Sequence, residues 1–101
     1  MAIEVVIFHV QSTVSRADFL AAVDETTALL KSQDGFLSRS VGQAESGEWL
    51  DILNWESIEA AKAAAIVFQT DPAGQRFSQY LDLQQIQVFY TEPVVEVTEH
   101  A

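Results

Sequence analysis

Few side chains in this sequence can do chemistry, and their positions are informative. His9 is the one histidine outside the C-terminal tail, at the end of the apolar run Ile3 to Val10. Imidazole is the usual proton acceptor for work near neutral pH; the plainer reading is a half-buried histidine hydrogen-bonded at a strand end. Arg39 has a planar fork that suits a ligand carboxylate or enolate oxygen, or a pairing across a hairpin with Asp51 or Glu48. Asp51 is unusual in the middle of an apolar stretch, as a partner for Arg39 or as a carboxylate set at a ligand site. Tyr80 and Tyr90 offer phenols to a ligand or to backbone. Trp55 and Phe68 offer flat apolar surface to wall a pocket or fill a core.

The elements that must position these groups follow from periodicity. Ile3 to Val10 is β-branched and apolar on both alternating faces, which predicts a central strand covered on both sides. Ser15 fits a helix N-cap, with Asp18 three residues on and Val14 and Phe19 placed as a staple. Phe19, Val23, Thr26 and Leu30 continue at helical spacing, with Leu20 and Leu29 widening the stripe. Asp34-Gly35 ends that helix. Phe36 to Gln43 is a polar strand suited to a sheet edge, with Phe36, Ser38 and Ser40 on one face and Leu37, Arg39 and Val41 on the other.

Ala44 to Glu48 is a turn. Trp49 to Glu56 is a third strand carrying Trp49, Asp51, Leu53 and Trp55 on one face, and Leu50, Ile52 and Asn54 on the other. The two tryptophans are six residues apart, roughly 20 Å in an extended strand, so they do not grip one small ligand together. Ser57 caps an alanine-rich helix whose inward stripe is Ile58, Ala61, Ala65 and Phe68. Asp71-Pro72 opens a short helix with Phe77, Tyr80 and Leu81 inward. Gln84 to Thr91 is a last strand, with Ile86, Val88 and Tyr90 sharing a face.

The order β-α-β-β-α-β, with a short extra helix, predicts an α+β ferredoxin-like fold: a four-stranded antiparallel sheet with helices on one face. Residues 1–92 form one domain, and 93–101, after the strand-breaking Pro93, form a tail or an arm laid on a partner. Two helices cover only one face of such a sheet. The first, third and fourth strands are apolar on both, so a second copy is expected against the open face.

The totals close off several classes. The chain has 101 residues, is 49% apolar, carries a net charge of −10 and has no cysteine. Thiolate and disulfide chemistry are excluded. The five bases, Arg16, Lys31, Arg39, Lys62 and Arg76, are scattered, so neither nucleic acid nor an anionic membrane is an expected partner. No apolar run approaches the roughly 20 residues of a membrane span, no signal segment is recognisable, and the cytoplasm is the expected compartment. With one in-domain histidine, no metal site of the usual kind is expected, and there is no glycine-rich phosphate loop.

The element order, Gly35-Phe36 followed by Ser38-Arg39, and Trp55-Glu56-Ser57 ahead of the alanine-rich Glu59 to Ala65 carry a resemblance. Over roughly residues 3–92 the chain resembles the dimeric α/β barrel superfamily, and within it antibiotic-biosynthesis-monooxygenase-type domains. The superfamily includes monooxygenases that use neither metal nor flavin, haem-degrading enzymes, lactone isomerases and members without known activity. The resemblance implies a homodimer of paired sheets and a pocket within each protomer, between sheet and helices, lined by Trp55. Haem-degrading relatives ligate iron through a histidine after the second helix; Gln69 to Leu83 contains none, so no cofactor is expected.

The resulting expectation is a cofactor-independent monooxygenase acting on a small phenolic or quinol-type substrate. Its catalytic residues would be His9, Arg39 and Tyr80, and its substrate-binding residues Trp55, Phe68 and Asp51. Two other readings stand beside it. One is a non-catalytic homodimeric module that binds a small apolar or aromatic ligand or simply assembles. The other is a small-acid isomerase or lyase in which Arg39 anchors the carboxylate.

Overall fold

The strand with two apolar faces is indeed central. In the computed structural model, which describes residues 1–99, β1 (Ala2–Phe8) lies between β3 (Trp49–Trp55) and β4 (Gln87–Thr91), antiparallel to both. β2 (Phe36–Gln43) adds outside β3, giving the order β2-β3-β1-β4. The helices are α1 (Arg16–Lys31), α2 (Ile58–Thr70) and α3 (Pro72–Gln79). This is the α+β ferredoxin-like arrangement that the sequence predicts. Among the described residues no helix is long and apolar enough to cross a membrane.

The helix starts behave as their residues dictate. Ser15 and Ser57 accept from the backbone N–H groups of Asp18 (3.0 Å) and Ala60 (3.1 Å), and Asp71 accepts from Ala73 ahead of Pro72. Each satisfies a donor that the first helical turn leaves without a partner. α1 buries Phe19, Ala22, Thr26 and Leu30. Leu20, expected to widen that stripe, is 40% exposed. Between α1 and β2, Gly35 has φ +83°, a left-handed conformation that side chains resist. Its carbonyl accepts from Glu56 N–H at 2.8 Å, pinning the start of β2 to the end of β3.

Two strand boundaries differ from expectation. β1 stops at Phe8, two residues early, because the chain leaves the ladder to bind the segment after α3. His9 O accepts from Asp82 N–H (2.8 Å), Gln11 N–H donates to Tyr80 O (2.9 Å), and Val10 bridges Leu81. β4 starts three residues late, at Gln87. Asp82 folds the residues before it into a turn, its side chain accepting from Gln84 N–H and its carbonyl from Gln85 N–H.

A third difference matters more. β2 carries a bulge between Phe36 and Ser38. One inserted residue moves the following side chains to the opposite face. Phe36 therefore packs on Trp55 while Arg39 and Val41 also face the helices, where strict alternation had set Phe36 against them.

Two apolar clusters fill the space between sheet and helices. Phe8, Phe19, Ala22, Trp49, Phe77 and Leu81 form one; Leu30, Leu53, Trp55, Ala61 and Ala64 form the other. Asp51, between Trp49 and Leu53 on β3, stands at their junction. The other face of the sheet presents Ile3, Val5, Ile7, Leu50 and Ile52, all half-buried, and Phe89, 49% exposed. Among the described residues no helix lies over it. Residues 93–99 form neither helix nor strand, and the last two residues of the predicted tail lie outside the described ones.

Candidate functional site

The best-formed cavity, about 240 Å³, lies between the helix-facing side of the sheet and the α2–α3 pair. Its floor is Glu4, Val6, Asp51, Leu53 and Trp55 from β1 and β3. Ala64, Ala65, Phe68 and Gln69 of α2 and Phe77 and Ser78 of α3 form the roof. Ile86, Val88 and Tyr90 border the side where β4 runs without a helix above it; Ile86 and Val88 are 37% and 46% exposed, which marks the mouth.

Local sequence explains why space is left there. α2 presents alanines to the sheet, and these short side chains fall short of a close-packed fill beside Trp55. The roof is held tightly at its other edge. A Cβ built on Gly74 of α3 would lie 1.9 Å from the Phe68 carbonyl oxygen, so α3 meets α2 backbone to backbone there. Phe68 and Phe77 meet edge to face, with ring centres 5.7 Å apart.

Trp55 is fully buried. The Phe36 ring meets it edge-on, with centres 5.5 Å apart, and its indole N–H donates to Glu4 Oε1 at 3.0 Å. Glu4 is the functional-looking group that reading the sequence missed. Burial, first, and then the neighbouring Asp51 charge push its pKa above the ordinary carboxylate value, while the Trp55 N–H and Arg39 pull the other way. Tyr90, the Cα partner of Glu4 across β1 and β4, has its phenol pKa raised by burial and then by Glu4. A signal was available: Glu4 is a lone acid inside the apolar run Ile3 to Val10, the same oddity that singles out Asp51 in β3.

Arg39 and Asp51 form a buried fork-to-fork pair, with side chains 4% and 7% exposed. Arg39 Nε and Nη2 donate to the two Asp51 oxygens at 3.0 and 2.7 Å. Its Nη1 donates to Val23 O, Thr26 Oγ1 and Thr27 Oγ1 at 2.9 to 3.0 Å, and the guanidinium lies over the Phe77 ring. The guanidinium is thus consumed within the protein and is not part of the cavity wall. An anchor for a ligand carboxylate, as an acid isomerase would need, is missing from this position.

The structure brings together Trp55, Phe68 and Asp51 around one cavity, and leaves His9 and Tyr80 outside it. The expectation that His9 shares a pocket with Trp55 is corrected by the strand register. His9 follows Phe8, the Cα partner of Trp49, whereas Trp55 faces Ala2 at the far end of the strand. At about 3.3 Å per residue the two are roughly 20 Å apart. His9 instead borders a shallow polar depression with Gln11, Ser12, Arg16 and Trp49. Tyr80 caps the end of α3, its backbone N–H bonded to Phe77 O and its side chain packed on the Phe8–Phe19 cluster. Asn54 faces away from the cavity, as strand alternation predicts, and donates to Ser38 Oγ at 2.9 Å. Among the described residues, no group of three or more His, Asp or Glu side chains is placed to hold a metal ion.

Neither a protein-family model nor a curated protein sequence matches the chain. Solved structures do, along nearly its whole length. SnoaB, a cofactor-independent oxygenase from Streptomyces nogalater, superposes with a TM-score of 0.77 at 15% identity, covering 97% of each chain. A monooxygenase from the gene ActVA-Orf6 of Streptomyces coelicolor, in complex with nanaomycin D, gives 0.72 at 18% identity over 98% of this chain and 92% of that one. A point mutant of MhuD with two manganese protoporphyrin IX bound per active site gives 0.69 at 15% identity, over 98% and 100%. The chain therefore shares the fold of antibiotic-biosynthesis-monooxygenase-type domains. At these identities the likeness fixes architecture, and different ligands occupy that architecture in different members.

Proposed function

We propose that this protein is a cofactor-independent monooxygenase acting on a small phenolic or quinol-type substrate held between sheet and helices. The observation that carries the reading is the cavity: about 240 Å³, walled by Trp55 and Phe68, largely apolar, with one incompletely bonded carboxyl group inside. A dry cavity of about 150 Å³ admits a benzene, so this one suits one or two fused rings. SnoaB and the ActVA-Orf6 enzyme, which share the fold, support the reaction class.

The chemistry asks little of the protein. Loss of a proton makes the substrate electron-rich enough to pass one electron to O₂. The resulting radical pair joins through a new carbon–oxygen bond, and loss of water from the peroxide leaves a carbonyl. One oxygen atom enters the product, the other departs in water, and the substrate supplies every electron. The cavity contributes a fixed orientation, a proton acceptor and exclusion of bulk water. In this reading Trp55 and Phe68 bind the ring, and Asp51, locked to Arg39, shapes the floor. His9 and Tyr80 have no contact with the substrate.

The same reading takes the working unit to be a homodimer, the open sheet face of one protomer covering that of another. The alternative of a module that only binds an aromatic ligand has the cavity in its favour and predicts binding without turnover.

The deciding experiment is oxygen uptake with 1,4-dihydroxynaphthalene, corrected for its uncatalysed oxidation. Ala65→Phe fills the cavity from its roof. The expected result is uptake by the natural chain that Ala65→Phe reduces to background while the circular dichroism spectrum is kept. Uptake unchanged by Ala65→Phe places the reaction elsewhere. Tight binding of the quinol with no uptake above background leaves only the binding module.

A further inference from the structure

We propose that the Glu4 carboxylate is the proton acceptor for a ligand hydroxyl in this cavity, and that Trp55 is the residue that aims it. The inference deepens the oxygenase reading and relies on it for whatever follows proton transfer.

Elimination among the cavity's own ionisable groups leads to Glu4. Three line the cavity: Glu4, Asp51 and Tyr90. Both oxygens of Asp51 are occupied by Arg39. Tyr90 is a phenol with its proton held more firmly than usual, a donor and not a base. Glu4 uses Oε1 to accept from Trp55, and among the described residues nothing donates to Oε2. The indole that fixes Oε1 is itself fixed, fully buried and pressed by Phe36. A carboxylate held at one oxygen by a rigid donor presents the other in a defined direction.

The surroundings suit the task. The charged and titratable groups near Glu4 are Asp51 on β3, Arg39 on β2, Tyr90 on β4, and Lys62 of α2, whose ammonium lies 5.6 Å from the Tyr90 ring centre. Arg39 and Asp51 cancel one another's charge as a pair. Burial makes Glu4 a stronger base than an exposed carboxylate, closer to the range useful at neutral pH. The step is a simple transfer. The ligand O–H bond breaks, its proton bonds to Glu4 Oε2, and the electron pair stays on the ligand oxygen as a phenolate. Gln69 and Ser78 line the helical side of the cavity and supply polar groups there, which favours a hydroquinone, with its second oxygen, over a simple phenol.

The test uses 2-naphthol in the absence of oxygen, where proton transfer cannot be followed by oxygenation; the probe is far more acidic when excited. Unbound 2-naphthol passes its excited-state proton to water, so the protein is kept in excess; the bound probe, shielded from bulk water and excited beyond tryptophan absorption, emits as naphtholate only if a protein base takes its proton during the excited-state lifetime. The natural chain should bind it and emit as naphtholate, with that emission lost as Glu4 is protonated at acidic pH. Glu4→Gln keeps an acceptor for the Trp55 N–H and removes the base. It should bind 2-naphthol within a few-fold of the natural affinity and emit as neutral naphthol at every pH below the probe's own pKa. Glu4→Asp, with its carboxylate withdrawn by one methylene, should fall between. With 1,4-dihydroxynaphthalene, Glu4→Gln should lower kcat about 10²–10⁴-fold, the usual range for a lost general base, with KM little changed.

Naphtholate emission unchanged in Glu4→Gln overturns the proposal, as does 2-naphthol binding that Ala65→Phe leaves intact or that never occurs. Glu4-dependent emission with no oxygen uptake keeps Glu4 as acceptor and removes the oxygenase reading alone.

Discussion

The half-buried Glu4 and the buried Arg39–Asp51 pair are both acid-bearing sites on the sheet, yet they respond to mutation in opposite ways. Because burial raises the pKa of Glu4, the folded protein binds that proton more tightly than the unfolded chain. The associated stability is fully present below the unfolded pKa and is lost as pH rises through the folded one. Glu4→Gln has no such loss, so it should melt higher than the natural chain at pH 7, with the difference shrinking to nothing as pH falls below the carboxylate range. Thermal melts across pH check this, and a Glu4→Gln variant less stable at neutral pH contradicts it. Arg39→Met, by contrast, strands the Asp51 charge among apolar side chains. It should cost about 3–5 kcal/mol, and Arg39→Met with Asp51→Leu should recover most of that, measured by urea unfolding. The pair was partly legible in the sequence, since Asp51 is an oddity in an apolar strand and Arg39 lies on the neighbouring arm of the same hairpin; Glu48 was the equal alternative, and the register sets Arg39 across from Leu53, diagonal to Asp51. His9 was singled out on residue type alone, and type says nothing of which end of a strand faces the cavity. Glu4 carries the opposite lesson: a lone acid in an apolar run, it becomes chemically distinctive through the tryptophan that the register places beside it.

Elements were read well where local chemistry decides them and poorly where long-range contacts do. Caps at Ser15, Ser57 and Asp71 and the Pro72 start are encoded within a few residues of each boundary; α1 stops earlier than expected, at Lys31 with Ser32 as its cap, so Gly35 shapes the turn into β2 and does not end the helix. The bulge after Phe36 was not, because β2 is polar on both faces and its alternation carries almost no register information. Nor was the early end of β1, which is set by bonds to the segment near residue 80. The packing of α3 on α2 yields the sharpest element-scale test. Glycine inside a helix is ordinarily worse than alanine by about 1 kcal/mol. At Gly74 the sign should invert, because the new methyl would press on the Phe68 carbonyl, which belongs to backbone and cannot rotate away. Gly74→Ala is expected to destabilise by about 1–3 kcal/mol, the usual range for overpacking. It should also weaken 2-naphthol binding at least several-fold as the roof shifts. Calorimetry and a fluorescence titration read both effects, and a stabilised Gly74→Ala that binds normally would show that the two helices have room to spare.

At the scale of the whole molecule, the open sheet face is the largest unsolved problem of a lone protomer. The helices lie on one side only, and Ile3, Val5, Ile7, Leu50 and Ile52 lie together on the other. A contiguous apolar patch of that kind is more than most soluble monomers leave in water. A second copy would be a self-complementary cover: a two-fold axis through the sheet would set the same face against itself, with the interface expected to be driest near the Val5–Ile52 pair, whose Cα atoms are partners in the ladder. An interface near the standard of about 1,600 Å² would hold such a dimer at micromolar concentration. Sedimentation should therefore give about twice the chain mass of 11.2 kDa. Replacing Val5 and Ile52 with lysine sets like charges against each other across the axis without touching the helix-side core. That variant should sediment as a monomer with its far-ultraviolet spectrum kept. Because the cavity lies on the opposite side of the sheet, 2-naphthol should still bind the monomer, though more weakly if β1 and β3 flex once uncovered. A natural chain that sediments at 11.2 kDa under these conditions removes the dimer, and the apolar face would then need a different partner.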